Sequence, residues 1–225
     1  MINNDDNLTS YKGVSITLDN ACIVTDSGMS FNYAVTGKYL EIISNNSTTN
    51  YIINNGTGED DHAVYSDNNV DLNLKSGSVL NITTTTGHGV KADSDVRVYG
   101  KGTAVFNAGH DALHGKKFLS NNDDEDDLKV LEGTINVKYA FSQAFDFSTK
   151  KTKGNIYLTS GKYIIDSVDT VFKVDNTLSI ASGVVVTATN VANDPVLRGD
   201  FSTGVTISNN GTFTVDGVNY TATAI

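Results

Sequence analysis

The stretch Gly87-His88-Gly89-Val90-Lys91-Ala92-Asp93, then Val96-Arg97-Val98-Tyr99-Gly100-Lys101-Gly102-Thr103-Ala104-Val105, then Ala108-Gly109-His110-Asp111-Ala112-Leu113 holds one unit of a repeat and the start of the next. The unit opens on a small residue followed by an apolar one, Gly89-Val90. The same opening recurs at Ala63-Val64, Ala112-Leu113, Ala144-Phe145, Val171-Phe172 and Val196-Leu197, and Cys22-Ile23 fits it upstream. The apolar positions Val64, Val90, Leu113, Phe145, Phe172 and Leu197 are spaced by 26, 23, 32, 27 and 25 residues. Only the interval that contains the acidic insertion Asn121–Asp127 departs from the mid-twenties. A fixed period of this length is the signature of a stacked repeat architecture.

Two further strand signals follow within each unit. The second run alternates apolar and polar residues, as in Val70-Asp71-Leu72-Asn73-Leu74, Val96-Arg97-Val98-Tyr99, Leu128-Lys129-Val130, Ile156-Tyr157-Leu158, Leu178-Ser179-Ile180 and Val205-Thr206-Ile207. A glycine (Gly77, Gly102, Gly133, Gly161, Gly183, Gly211) then turns the chain into a third run such as Thr134-Ile135-Asn136-Val137. Period-2 alternation with β-branched residues is a strand pattern, and no window carries the 3.6 period of a helix. Hairpin dipeptides do not recur once per strand pair, as a meander would require. The period therefore predicts an all-β fold, a right-handed single-stranded parallel β-helix of about seven rungs with three short strands each. Rungs would stack about 4.8 Å apart. Residues 1–13 are expected to form a polar tail or leading strand, and residues 14–225 a single domain. Val64, Val90, Leu113, Phe145, Phe172 and Leu197 should form one inward column with Ile23 below it, and Cys22 should serve as a small core residue.

Composition narrows the function classes. Of 225 residues, 16 are Lys or Arg and 26 are Asp or Glu, a formal net charge of −10. Nucleic-acid binding rests on Lys/Arg clusters, so it is excluded as an expectation. No apolar run approaches the roughly 18 residues of a membrane span, so no membrane insertion is expected. One cysteine permits no intrachain disulfide framework.

The Gly87–Asp93, Val96–Val105 and Ala108–Leu113 segments resemble the repeating GDGI-x-x-x-D … L-x-I-x-GG-T-x-x-I pattern of a β-helical carbohydrate-binding family of secreted and surface proteins of clostridia and other Firmicutes. Gly13-Val14-Ser15-Ile16 and Asp61-His62-Ala63-Val64-Tyr65-Ser66-Asp67 resemble its opening segments. The resemblance covers roughly residues 13–190. It implies a polysaccharide-lyase-like β-helix that binds cellulose and acidic sugars with calcium as cofactor, outside the cell or on its surface. Met1–Ser10 is polar, so a leader is expected to have been removed or to lie outside this chain.

Several residues are candidates for that chemistry. The acidic run Asp123–Asp127 concentrates like charge that a hard cation would relieve, and calcium takes carboxylate oxygens. Asp124 and Asp126 there, with Asp93, Asp95 and Asp111 in the middle rungs, are the expected calcium ligands. Asp67 and Asp93 share a column and should repel unless something lies between them. His62, His88, His110 and His114 all fall at rung starts. Imidazole and carboxylate suit zinc, although a stacked ladder at a corner requires no metal. On the second-strand face Asp71, Asn73, Arg97, Tyr99, Lys129, Tyr157 and Ser179 should point outward. Arg97, Tyr99, Lys129 and Tyr157 are the expected polysaccharide contacts, through stacking on sugar faces and pairing with uronates. The expected activity is non-catalytic, calcium-dependent binding of plant cell-wall polysaccharide. A calcium-dependent polysaccharide lyase with Lys91 or Arg97 as base is the alternative, and a surface adhesin or structural domain is the second.

Overall fold

Strands that alternate strictly, cut at regular intervals by glycine turns, can satisfy their backbone only by pairing with the next turn of the chain. That is what the computed structural model contains; it describes residues 13–33, 39–122, 128–148, 154–199, 202 and 204–220. There is no helix among the described residues. The chain winds as a parallel β-solenoid of about seven turns.

One wall is an eight-stranded sheet in the order Gly13–Leu18, Tyr39–Ser44, Asn69–Leu74, Asp95–Gly100, Lys117–Leu119, Asn155–Leu158, Thr177–Ile180 and Thr206–Asn209, parallel throughout. The remaining strands form a second, continuous sheet around the coil. In it, Thr134–Phe147 and Lys162–Val174 each fuse the third run of one rung with the first run of the next. Near the C-terminal end Val218–Asn219 folds back antiparallel on Thr212–Val215, and Tyr220 lies against Phe213 with ring centroids 5.0 Å apart. This hairpin covers part of the C-terminal end of the stack, where an open parallel edge would otherwise invite further pairing.

Inward columns fill the coil. Leu40, Val70, Val96, Phe118, Ile156 and Leu178 stack along the first wall, and Ile52, Ile82, Phe106, Val137, Ile165 and Ala188 along the second, all of them buried. The rung-start column reads Phe31, Val64, Val90, Leu113, Phe145, Phe172 and Val196. Its middle is an aromatic cluster in which Phe145 meets Phe118 at 5.1 Å, Phe172 at 5.3 Å and Tyr163 at 6.1 Å.

The register departs from the sequence expectation at three places. Val196, not Leu197, continues the inward column: Phe172 pairs with Val196, Leu197 pairs with Lys173, and Leu197 is only half-buried. The residue before the core position is Pro195, whose carbonyl accepts the Phe172 N–H at 3.0 Å, so the small corner residue there is a proline. At the other end Phe31, not Ile23, lies below Val64, whereas Ile23 stacks on Ile52 in the opposite wall. Cys22–Thr25 is thus a third run of the first rung, and Cys22 is exposed rather than a core residue. In the long fourth unit the second strand is Lys117–Leu119 rather than Leu128-Lys129-Val130. Phe118 offers a larger core side chain next to Phe145 and Phe147, so Lys117–Leu119 takes the strand position. The stretch after Leu119 returns to the coil through a Val130–Asn121 bridge and Gly100–Leu131 pairing. Most of residues 1–13 and the acidic residues 123–127, including Asp124 and Asp126, lie outside the described residues.

Candidate functional site

Outward positions of the first wall form a column, Ser15, Glu41, Asp71, Arg97, Leu119, Tyr157, Ser179 and Ser208, polar but for Leu119, because each strand pairs in register with the next. Two residues further along, Asn73 pairs with Tyr99. The residues are neighbours as expected, but the surface is not the open ladder the alternation suggested. Asp71, Asn73, Tyr99 and Leu119 are buried. Glu41 accepts from Ser15 Oγ at 2.6 Å, Asn73 Nδ2 at 2.8 Å and Tyr99 Oη at 2.9 Å. Burial pushes the Glu41 carboxyl up, yet these hydrogen bonds and the Lys75 charge outweigh it and hold the carboxyl below its ordinary value. Tyr99, 4% exposed and bonded to Glu41, presents no ring face for a sugar.

Arg97 is also committed. Its Nη1 lies 3.6 Å from Asp71 Oδ1 and its Nη2 3.9 Å from Asp95 Oδ2, while Lys117 Nζ reaches the same Asp95 oxygen at 3.5 Å. Burial pushes Asp71 up to about 7, with Arg97 opposing and Glu41 and Asp95 reinforcing the shift. Asp71 Oδ1 and Arg97 Nε are buried without a hydrogen-bond partner. Tyr157 is half-exposed above this cluster.

Lys129 sits elsewhere. It is exposed on the returning segment, whose Leu128, Lys129, Val130 and Glu132 form one bank of a groove of about 370 Å³. The other bank is built by the turns that end two strands of the first wall, Asn73–Ser76 and Gly100–Lys101. Gly100 makes this junction possible. Its φ of +102° is in the left-handed region, and a Cβ there would lie 2.1 Å from the Leu74 carbonyl oxygen. Its N–H reaches Val130 O at 3.0 Å, and its carbonyl accepts from Glu132 at 2.8 Å and Gly133 at 3.1 Å. Lys75, Lys101 and Lys129 line the groove with Glu132, the one carboxylate among its described lining residues, which Lys101 meets at 3.1 Å. A locally cationic concavity on an acidic chain can accept a carboxylated ligand, and its Leu128 and Val130 surfaces can take the apolar faces of a ring. Alternation alone assigned Lys129 to a strand. Lys75 and Lys101 were missed because the turn residues that carry them belong to neither strand pattern.

The rung-start histidines form a second cluster. His62 and His88 stack at 4.9 Å between ring centroids, and His88 meets His114 at 4.4 Å and His110 at 4.7 Å. The rung register places His62, His88 and Asp111 in one column; the approach of His110 and His114 was not foreseen. Nδ1 atoms of His88, His110 and His114 lie 3.1, 3.2 and 3.2 Å from one oxygen, Asp111 Oδ2. Asp111 Oδ1 accepts the Gln143 N–H at 3.0 Å. Burial pushes Asp111 up, but the close approach of the His110, His114 and His88 imidazoles holds it well below the ordinary carboxylate range. His62 accepts the His88 N–H at its Nδ1 at 3.2 Å, and burial followed by the charges of His88 and Lys91 pushes it down to about 3.

The carboxylates expected to hold calcium do not assemble an oxygen cage among the described residues. Asp93 is exposed, Asp95 faces Arg97 and Lys117, and Asp111 faces imidazoles. Calcium needs six to eight oxygen ligands. Asp67 has a partner other than a cation, since Tyr65 Oη donates to its Oδ1 at 2.5 Å. Elsewhere, Tyr139 and Phe141 on Thr134–Phe147 are 43% and 68% exposed where the strand's register slips between Ala140 and Gln143.

A family model described as "Carbohydrate-binding domain-containing protein" matches residues 6–224 of the chain. No curated protein and no solved structure matches it.

Proposed function

The chain belongs to this carbohydrate-binding domain-containing family, and from that premise we propose that it is a non-catalytic extracellular module that binds acidic polysaccharide in the groove lined by Lys75, Lys101 and Lys129. The single observation that carries this reading is that three lysines line one concavity on a chain of net charge −10. A uronate carboxylate pairs with the lysines, and exposed Ser76, on the same bank as Lys75 and Lys101, supplies a hydroxyl for ring hydroxyls. Arg97, held by Asp71 and Asp95, contributes to the shape of the wall rather than to the ligand. Exposed Tyr139 and Phe141, with half-exposed Tyr157, offer stacking surfaces to neutral sugars.

The lyase reading finds less support. A base must stand beside a neutralised uronate. Lys91 instead lies against His62 Nε2 at 3.2 Å, with its ammonium 5.9 Å from the Tyr65 ring centroid, and Arg97 is ion-paired. Calcium enters this proposal only through the acidic run at 123–127, as a second route by which a uronate could be bridged. Affinity electrophoresis in gels containing polygalacturonate or neutral glucan tests the reading. Retardation by polygalacturonate that survives EDTA and fades with salt supports the lysine groove. Retardation abolished by EDTA assigns binding to bridging calcium, release of unsaturated uronides to a lyase, and absence of retardation by any glycan to an adhesin.

A further inference from the structure

We propose that His88, Asp111 and His114 bind one divalent transition-metal ion of the zinc type, through two imidazole Nδ1 atoms and one carboxylate oxygen. Their ligand atoms all lie within 4.8 Å of one another, the one such three-residue group of His, Cys, Asp and Glu among the described residues. Zinc bonds to nitrogen and oxygen are about 2.0–2.1 Å, so tetrahedral neighbours stand about 3.3 Å apart. The separations from Asp111 Oδ2 to the Nδ1 atoms of His88 and His114, 3.1 and 3.2 Å, are close to that edge length. An ion could therefore be seated by small ring shifts.

Hydrogen bonding alone accounts poorly for this arrangement. Three imidazole nitrogens converge on one oxygen, and the buried His88 Nδ1 has no hydrogen-bond partner despite its 3.1 Å approach. The supporting contacts are those expected around a metal ligand set, where groups behind the ligands fix their orientation. Gln143 N–H holds the other oxygen of Asp111, and His62 packs on the His88 ring and accepts its backbone N–H. His110, half-exposed with Nδ1 3.2 Å from the same oxygen, stands where it or a water could complete the coordination. Two imidazoles favour zinc, nickel or cobalt over calcium, whose ligands are oxygens. His88 belongs to one rung and Asp111 and His114 to the next, so the ion would also brace neighbouring coils.

The test is equilibrium dialysis and calorimetry of the chelator-stripped full chain with Zn²⁺, repeated with Co²⁺ as a spectroscopic probe. One Zn²⁺ per chain is expected, unaffected by millimolar Ca²⁺, with Co²⁺ giving the visible absorption of a low-coordinate nitrogen site. His88→Gln and His114→Gln should each weaken Zn²⁺ binding at least tenfold while the far-UV circular dichroism stays that of the wild type. No uptake, uptake unchanged in both variants, or displacement by Ca²⁺ would overturn the proposal. Should either variant fail to fold, the wild-type Co²⁺ spectrum decides, and absence of that absorption overturns it.

Discussion

Replacing Asp71 by Asn should change how stability depends on pH more than it changes stability at any acidic pH. Asp71 is 5% exposed in the column between Glu41 and Arg97, and burial raises its carboxyl to about 7. The unfolded value is about 3.9. A raised folded pKa means that the native state holds the proton more tightly than the unfolded chain. Its contribution to stability is therefore full below the unfolded pKa and is lost as pH rises toward the folded one. Between pH 5 and pH 8.5 the wild type should lose about 1.5–4 kcal/mol on this account, the spread reflecting about a unit either way in the folded pKa. Asn cannot titrate, so the difference between variant and wild type should grow by that amount across the interval, whatever other groups titrate in both proteins. Urea unfolding at half-unit pH steps reads it directly, with a constant m value as the check that the unfolded state is unchanged. Parallel stability curves for the two proteins would refute the argument, because they would mean that the Arg97 pairing compensates the burial of Asp71 in full.

The remaining predictions concern the coil and the groove bank. Phe145→Ala, at the centre of the cluster with Phe118, Phe172 and Tyr163, should cost about 3–5 kcal/mol in chemical denaturation; a loss under about 1 kcal/mol would contradict its place in the core. Val196→Ala should cost about 1.5 kcal/mol, near the transfer value of two buried methyl-sized groups, and more than Leu197→Ala, although leucine is the larger side chain; the reverse order would restore the other register. Gly100→Ala should destabilise by about 2 kcal/mol or more, from left-handed strain and from contact with Leu74 O, and an unchanged midpoint would show that the bank adjusts freely.

Much of the coil was legible because a solenoid writes its geometry into the chain. Stacked equivalents repeat the same demand, so Val64, Val90, Leu113, Phe145 and Phe172 reveal one another by spacing. Legibility failed where two segments competed for one place. Cys22-Ile23 and Phe31-Asn32 both offer an apolar residue to the first rung, and Leu128–Val130 and Lys117–Leu119 both alternate; only packing against Phe145 and Phe147 selects Phe118. At Val196-Leu197 a proline at the corner moved the core position by one residue. The site was harder to read. Alternation tells which way a side chain points, not whether a neighbour covers it, so Tyr99 and Asp71 were foreseen as outward but not as buried. The groove joins turn residues to an insertion, and the convergence of three imidazoles on Asp111 joins two rungs; neither juxtaposition has a local sequence pattern.

The account's central claim is that the groove's lysines hold an acidic glycan, and calorimetric titration of an oligogalacturonate into wild type and into a Lys75→Gln, Lys129→Gln double variant tests it most directly. Exposed charge pairs contribute about 0.2–1 kcal/mol each, so the double variant should bind about two- to thirtyfold more weakly, and wild-type affinity should fall as salt shortens the screening length below about 8–10 Å. Binding that is equal in both proteins and indifferent to salt would contradict the claim.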